Sequence, residues 1–241
     1  MNNYKLTIQY DGTEYSGWQI QDNSNSVQAA ITDAINILAD DNINLIGSGR
    51  TDSGVHALGQ VANFKSEKLF TPRQFVHSIN SILPYDISVT NFEVVDENFH
   101  SRFDAKLRSY LYVISKIKSP FYYKYSLFKK ELNINLLNVI ADEFEGEHDF
   151  TSFCKKNSDV INKICNIGSA KWKEYKNFYL LYISADRFLH GMVRTIVGTM
   201  IKLEKNPDAK DIIKSVFDAK NREAAGESAA AKGLFLYKVK Y

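Results

Sequence analysis

Apolar and polar residues alternate over the first ten positions. Tyr4, Leu6, Ile8 and Tyr10 fall on one side of an extended chain, and Lys5, Thr7 and Gln9 on the other. This period of two predicts a half-buried strand, which Asp11-Gly12 ends as a turn. The period then lengthens. Val27, Ala30, Ile31, Ala34, Ile35 and Leu38 recur at helical spacing behind Ser26, a residue suited to cap a helix N-terminus. A short apolar run from Ile43 to Ile46 leads into a glycine-rich loop, and a strand is expected near Gln60 to Phe64. Thr71-Pro72 opens a second helix with Phe75, Val76, Ile79 and Leu83 inward, and a further strand is expected from Ile87 to Val95.

The second half repeats the rhythm. Leu107 to Ser115 alternates as a strand; Leu136, Leu137, Ile140, Ala141 and Phe144 form a helical stripe; two strands flank a Lys176-Asn177 turn. Leu189, Met192, Val193, Ile196, Val197 and Met200 predict another helix, followed by one near Asp211 to Ala219 and a last strand from Leu234 to Lys240. Strands alternating twice with amphipathic helices predict an α+β protein of two halves, with helices covering one sheet face. The boundary is expected near residue 105, giving halves 1–105 and 106–241. No long Pro-, Gly- or Ser-rich linker separates them, so joined sheets are expected.

Charge sharpens this division. Residues 1–105 hold six Lys and Arg against thirteen Asp and Glu, a net of −7, whereas residues 106–241 hold 24 against 15, a net of +9. Either the second half grips an anionic partner or its lysines are a solvated surface. Cys154 and Cys165 form no Cys-x-x-Cys pair and have no nearby histidine set, so free thiols are expected rather than a disulfide or a metal site. The N-terminus lacks the pattern of a signal peptide, and the apolar segment from Phe188 to Leu203 is broken by His190, Arg194 and Lys202. A cytoplasmic protein without a membrane span is expected.

Three stretches carry candidate chemistry. In "GSGRTDSGVHALGQ", Gly47, Gly49 and Gly54 permit a tight excursion that pushes Asp52 outward, and Arg50 favours its ionised form. Such a carboxylate suits nucleophilic or general-base work, yet Asp before a small residue and Gly is also ordinary turn chemistry. His56 has no acid, thiol or second histidine at a spacing that would make it a base or ligand. In "RSYLYVI", Arg108, Tyr110, Tyr112 and Ile114 share one strand face and Leu107, Ser109, Leu111 and Val113 the other. The leucine and valine side is expected to meet the core, leaving the tyrosines either as a stacking surface for an unstacked base or as sheet cover. In "FLHGMVRTIVG", Arg194 interrupts the apolar stripe; it reaches solvent or turns inward to a carboxylate, for which Asp52 is one candidate.

Together with "YDGTEYSGWQ", "SVQ", "FHSRF" and "DFTSF", these segments resemble the tRNA pseudouridine synthase A family, in that family's order, from Tyr4 to about Leu236. The strongest block, "GRTDSGVHALGQV", is similar to the family signature Gly-Arg-Thr-Asp-Ala-Gly-Val-His, with Ser53 in place of the alanine. The resemblance implies that Asp52 is the catalytic aspartate and Arg50 the arginine beside it. It likewise implies that Tyr110 is the active-site tyrosine, Arg194 the arginine pairing with the aspartate, and Leu234 in "KGLFL" the apolar pocket residue. "SAAAKGLFL" lacks the proline often found before that strand, and the tail stops early at Tyr241.

The implied fold is two ferredoxin-like halves whose antiparallel sheets join into one extended sheet, with a central cleft. The implied reaction converts uridine to pseudouridine at positions 38, 39 and 40 of the tRNA anticodon stem-loop. The C1′–N1 bond breaks, the uracil turns while bound, and C5 joins C1′. Asp52 would attack C1′, attack C6, or remove the 2′ proton. No cofactor and no metal is required, in keeping with a sequence without a dinucleotide fingerprint, P-loop or metal cluster. The implied partners are tRNA and a second copy of the chain in a homodimer. Two other readings compete: a tRNA-binding folding helper without catalysis, and an aspartate-dependent glycoside hydrolase, which would need a second carboxylate.

Overall fold

The computed structural model describes residues 1–156 and 160–241. It is an α+β protein, with ten strands and five α-helices among the described residues, which form two compact units. Unit 1 is Met1–Lys106 with Leu236–Tyr241, and unit 2 is Leu107–Phe235.

Unit 1 runs β1 (Asn2–Tyr10), α1 (Val27–Ala39), β2 (Ile46–Gly47), β3 (His56–Ser66), α2 (Pro72–Ile82) and β4 (Ile87–Val95). β1 lies between β4 and β3, antiparallel to both, and β2 pairs with β3. The order β4-β1-β3-β2 over a βαββαβ sequence is that of a ferredoxin-like unit. The Ser26 side chain accepts from the Ala29 amide at 3.3 Å and caps α1, while Pro72, which has no amide hydrogen to satisfy, begins α2. Tyr4, Leu6, Ile8 and Tyr10 are all buried, as the alternation predicts. Phe75 of α2 stacks on Phe92 of β4 at 3.9 Å between ring centroids, and Tyr4 stacks on Phe92 at 5.0 Å.

Unit 2 runs β5 (Leu107–Ser115), β6 (Leu127–Phe128), α3 (Ile134–Asp142), β7 (Gly146–Asp149), β8 (Ile164–Tyr175), β9 (Phe178–Ala185), α4 (Met192–Leu203) and α5 (Ala209–Ala219). β10 (Leu234–Lys240) starts here, and its residues from Leu236 onward belong to unit 1. β9 lies between β5 and β8, and β7 pairs with β8, all antiparallel; the two-residue β6 runs parallel to β5. Lys176, at φ 49°, makes the β8–β9 turn. The core gathers Phe144, Phe150 and Phe153, and the Trp172 indole N–H meets Met200 Sδ of α4 at 3.3 Å.

One expectation is reversed in β5. Tyr110, Tyr112 and Ile114 are the buried side, in register with buried Ile183, Leu181 and Tyr179 of β9, whereas Leu111 and Val113 are only half-buried. Alternation defines two faces without saying which one meets the helices. A tyrosine ring is a large apolar body that enters a core once its hydroxyl finds a partner. The Tyr112 hydroxyl donates to the Ala230 carbonyl at 2.9 Å.

Candidate active site

The loop bearing Asp52 joins β2 to β3, and the structure fixes both of its ends. At its start the Ser48 amide donates to the Val61 carbonyl at 2.7 Å. Buried Gln60 then grips the same residue and the next. It accepts from the Ser48 hydroxyl at 2.7 Å and donates from its side-chain amide to the Gly49 carbonyl at 3.0 Å. At its far end the Val55 amide donates to the Asp52 carbonyl at 3.1 Å, and Gly54 takes φ 74°. That is a turn closed immediately behind Asp52, with left-handed backbone where glycine carries no penalty.

The stretch from Tyr10 to Trp18 clasps the loop from outside. Thr51 shares a hydrogen bond with the Tyr10 hydroxyl at 2.8 Å, and its carbonyl accepts from the Trp18 amide at 3.2 Å. The Tyr15 carbonyl accepts from the Gly54 amide at 3.4 Å and from the Ser53 hydroxyl at 3.2 Å. Gly17, at φ 100°, lies so close that a Cβ there would stand 2.5 Å from the Thr51 carbonyl oxygen and 3.2 Å from the Asp52 carbonyl carbon. The Trp18 indole lies against Gly47, where a Cβ would come within 2.5 Å of Nε1. Burial and a hydrogen bond to Asp86 raise the pKa of Tyr15, so its phenol keeps its proton.

Within this frame Asp52 is half-buried and Arg50 is exposed. Ser53, the departure from the family signature, adds a hydrogen bond that alanine would not make. His56 is buried, and the structure brings it an acid that spacing did not reveal: Asp11 Oδ1 lies 3.0 Å from Nδ1. The same nitrogen is 3.0 Å from the Gly12 amide. Asp11 Oδ1 itself accepts from the Thr13 amide and hydroxyl.

The remaining candidates lie in unit 2. Tyr110 is buried and meets Phe188 edge-to-face at 5.2 Å. Arg194 sits in the first turn of α4 behind Gly191, whose φ of 73° starts the helix. Its Nε donates to the Ala229 carbonyl at 2.8 Å, and the Ala229 amide donates back to the Arg194 carbonyl at 2.9 Å. The segment 225–230 thus runs along α4, held also by a Thr195–Ser228 hydroxyl contact at 3.0 Å and the Gly226 amide on the Thr199 hydroxyl at 2.9 Å. Gly198 permits this approach, since a side chain there would fall on the Glu227 carbonyl. Arg194 is also near enough to Tyr112 to act on its ionisation: burial raises the tyrosine pKa, the guanidinium opposes it, and burial prevails. Leu234 is buried at the head of β10, directly after Gly233, where a Cβ would stand 2.8 Å from the Tyr112 ring.

Among the described residues no group of three or more His, Cys, Asp or Glu could hold a metal ion, and no helix is long and apolar enough to cross a membrane. Cys154 and Cys165 are buried free thiols, and burial pushes the Cys165 pKa up to about 12.

A family model described as tRNA pseudouridine synthase matches residues 6–104 and 140–241. Arg50 and Asp52 lie in the first stretch, Arg194 and Leu234 in the second, and Tyr110 between them. The chain is 39% identical over 245 residues to the "tRNA pseudouridine synthase A 2" of Bacillus thuringiensis subsp. konkukian (strain 97-27), with 100% of both chains covered. It is 41% identical over 240 residues to the "tRNA pseudouridine synthase A" of Bacillus sp. (strain KSM-64), covering 98% of each. Against the protein of that name from Clostridium acetobutylicum, identity is 39% over 247 residues, again with full coverage of both.

Proposed function

The chain belongs to the tRNA pseudouridine synthase family and is an isomerase acting on tRNA uridine; from that premise we propose that it isomerises uridines 38, 39 and 40 of the anticodon stem-loop with Asp52 as catalytic nucleophile or base. The observation that carries this reading is the clasped loop. Hydrogen bonds with Tyr10, Tyr15, Trp18 and Gln60 hold the residues on either side of Asp52, so the carboxylate is delivered from a fixed frame.

The other roles come from the family resemblance. Arg194 keeps Asp52 ionised and oriented, Tyr110 stacks on the uracil, and Leu234 lines the pocket. Arg50, exposed on the same loop, braces the space left when the target nucleotide leaves the stem. That departure costs about a few kcal/mol in unstacking and unpairing. Residues 1–105 carry the aspartate loop, and 106–241 the tyrosine, the arginine and the excess positive charge that meets phosphate. The reaction moves a base from N1 to C5 attachment on the same ribose, so it needs neither cofactor nor metal. A homodimer working in the cytoplasm completes the proposal.

Pseudouridine mapping tests it. Anticodon-arm uridines of tRNA from cells with and without the protein are read with a label that reacts with pseudouridine and not uridine. Label at 38–40 that disappears with the protein supports the reading; label lost only outside the anticodon arm contradicts the assigned positions.

A further inference from the structure

Residues 116–130, "KIKSPFYYKYSLFKK", hold five lysines and five aromatic residues and no acid. The segment leaves β5 and makes two successive turns. The Ser119 hydroxyl accepts from the Phe121 amide at 3.2 Å, the Ser119 carbonyl from the Tyr122 amide at 3.2 Å, and the Tyr122 carbonyl from the Tyr125 amide at 3.1 Å. The Ser126 hydroxyl adds a second bond to that last carbonyl at 2.7 Å. These turns sort three consecutive rings. Tyr122 goes inward against Phe178 at 4.8 Å, while Phe121 and Tyr123 point out and stay 85% and 67% exposed. Lys232, in the turn just before Leu234, places its ammonium 4.0 Å from the Tyr123 ring centroid.

The lysines divide by environment. Lys116 is engaged, paired with Glu174 and lying over the Tyr179 ring at 4.8 Å. Lys118 and Lys124 are exposed on either side of the two outward rings. Large rings left in water on a hydrogen-bonded loop lose apolar burial that a less exposed arrangement would give. Interleaved with cations and free of carboxylates, they match an unpaired nucleic-acid strand, whose bases stack on aromatic faces while its phosphates meet ammonium groups.

We propose that Lys118, Phe121, Tyr123, Lys124 and Lys232 form a platform on which unpaired bases of the substrate tRNA stack. The inference rests on the tRNA reading for the identity of its ligand. The turns fix the backbone that carries both rings, so binding does not have to order the loop itself. Base–aromatic stacking gives an affinity that salt barely alters, and the lysines give the salt-dependent part.

The test compares the full-length protein with Phe121→Ala/Tyr123→Ala and Lys118→Gln/Lys124→Gln variants, using unmodified tRNA transcript. Affinity is measured across a salt series, single-turnover conversion at saturating tRNA, and oligomeric state by sedimentation. The aromatic double variant should bind about tenfold more weakly or worse, with unchanged saturated rate and unchanged salt slope. The lysine variant should lower the salt slope by roughly one to two. Phe121→Trp/Tyr123→Phe, which keeps the rings, should restore affinity and thereby separates stacking from loss of fold. Wild-type affinity in both alanine and glutamine variants overturns the platform, as does a change of oligomeric state without loss of affinity, which would make the patch a self-association surface. If wild-type protein makes no pseudouridine, the enzymatic reading fails, and the affinity measurements still decide the platform.

Discussion

Asp52 owes its position to atoms far from it in sequence. Gly17 is the sharpest case: its positive φ and its approach to the Thr51 carbonyl both exclude a side chain. Gly17→Ala should cost about 2 kcal/mol or more of stability and slow single-turnover conversion beyond what reduced folding explains. Calorimetry beside a rate normalised to folded protein checks this; an unchanged rate would mean that the clasp does not position the loop. Arg194 gives a second prediction at this scale. Its Nε bond to Ala229 ties the side chain to segment 225–230, and Arg194→Leu leaves that carbonyl without its charged donor. The variant should melt lower and lose most activity, and a fully active protein of normal Tm would show that the arginine serves neither end.

Elements were the most legible level of the sequence, because periodicity is local. The predicted strands Ile87–Val95, Leu107–Ser115 and Leu234–Lys240 coincide with β4, β5 and β10, and Ser26 and Pro72 mark the two helix starts in unit 1. What escaped was short or non-local. β2 and β6 have two residues each, too few for a period, and β3 begins at His56 because pairing with β1 carries the strand back into the glycine-rich stretch. The buried side of β5 was inverted because helix placement depends on distant residues. Asp149, at the end of β7, shows how a polar group joins elements. Burial works against its charge, but the Thr151 hydroxyl and amide, then Lys220 at the end of α5, lower its pKa below 3.8. Its stabilising effect is therefore present above the ordinary carboxylate range and is lost as pH falls through the lowered value. Asp149→Asn should be less stable than wild type at neutral pH, with the difference in denaturation midpoint shrinking as pH falls below the ordinary carboxylate range. A constant difference would assign the effect to shape rather than charge.

For the whole molecule, the order of motifs carried the functional reading without knowledge of any contact, whereas the charge asymmetry left a gripped anionic partner and a solvated surface both open. The glycine-rich loop could be read as a presenting turn or an ordinary one. Its clasp was not legible, since hydrogen bonds spanning some forty residues, such as Tyr10 to Thr51, leave no periodic trace. The same holds for Asp11 beside His56 and for α4 against segment 225–230. The central claim is that this frame exists to present one reactive carboxylate to a uridine in tRNA. Asp52→Asn preserves size and leaves the backbone hydrogen bonds of the loop intact, so it separates holding tRNA from changing it. The decisive measurement is pseudouridine formation by the purified variant, read by the isomer-specific label beside tRNA affinity. Near-wild-type affinity with no pseudouridine formed is the expected result; isomerisation at the wild-type rate would contradict the role of Asp52.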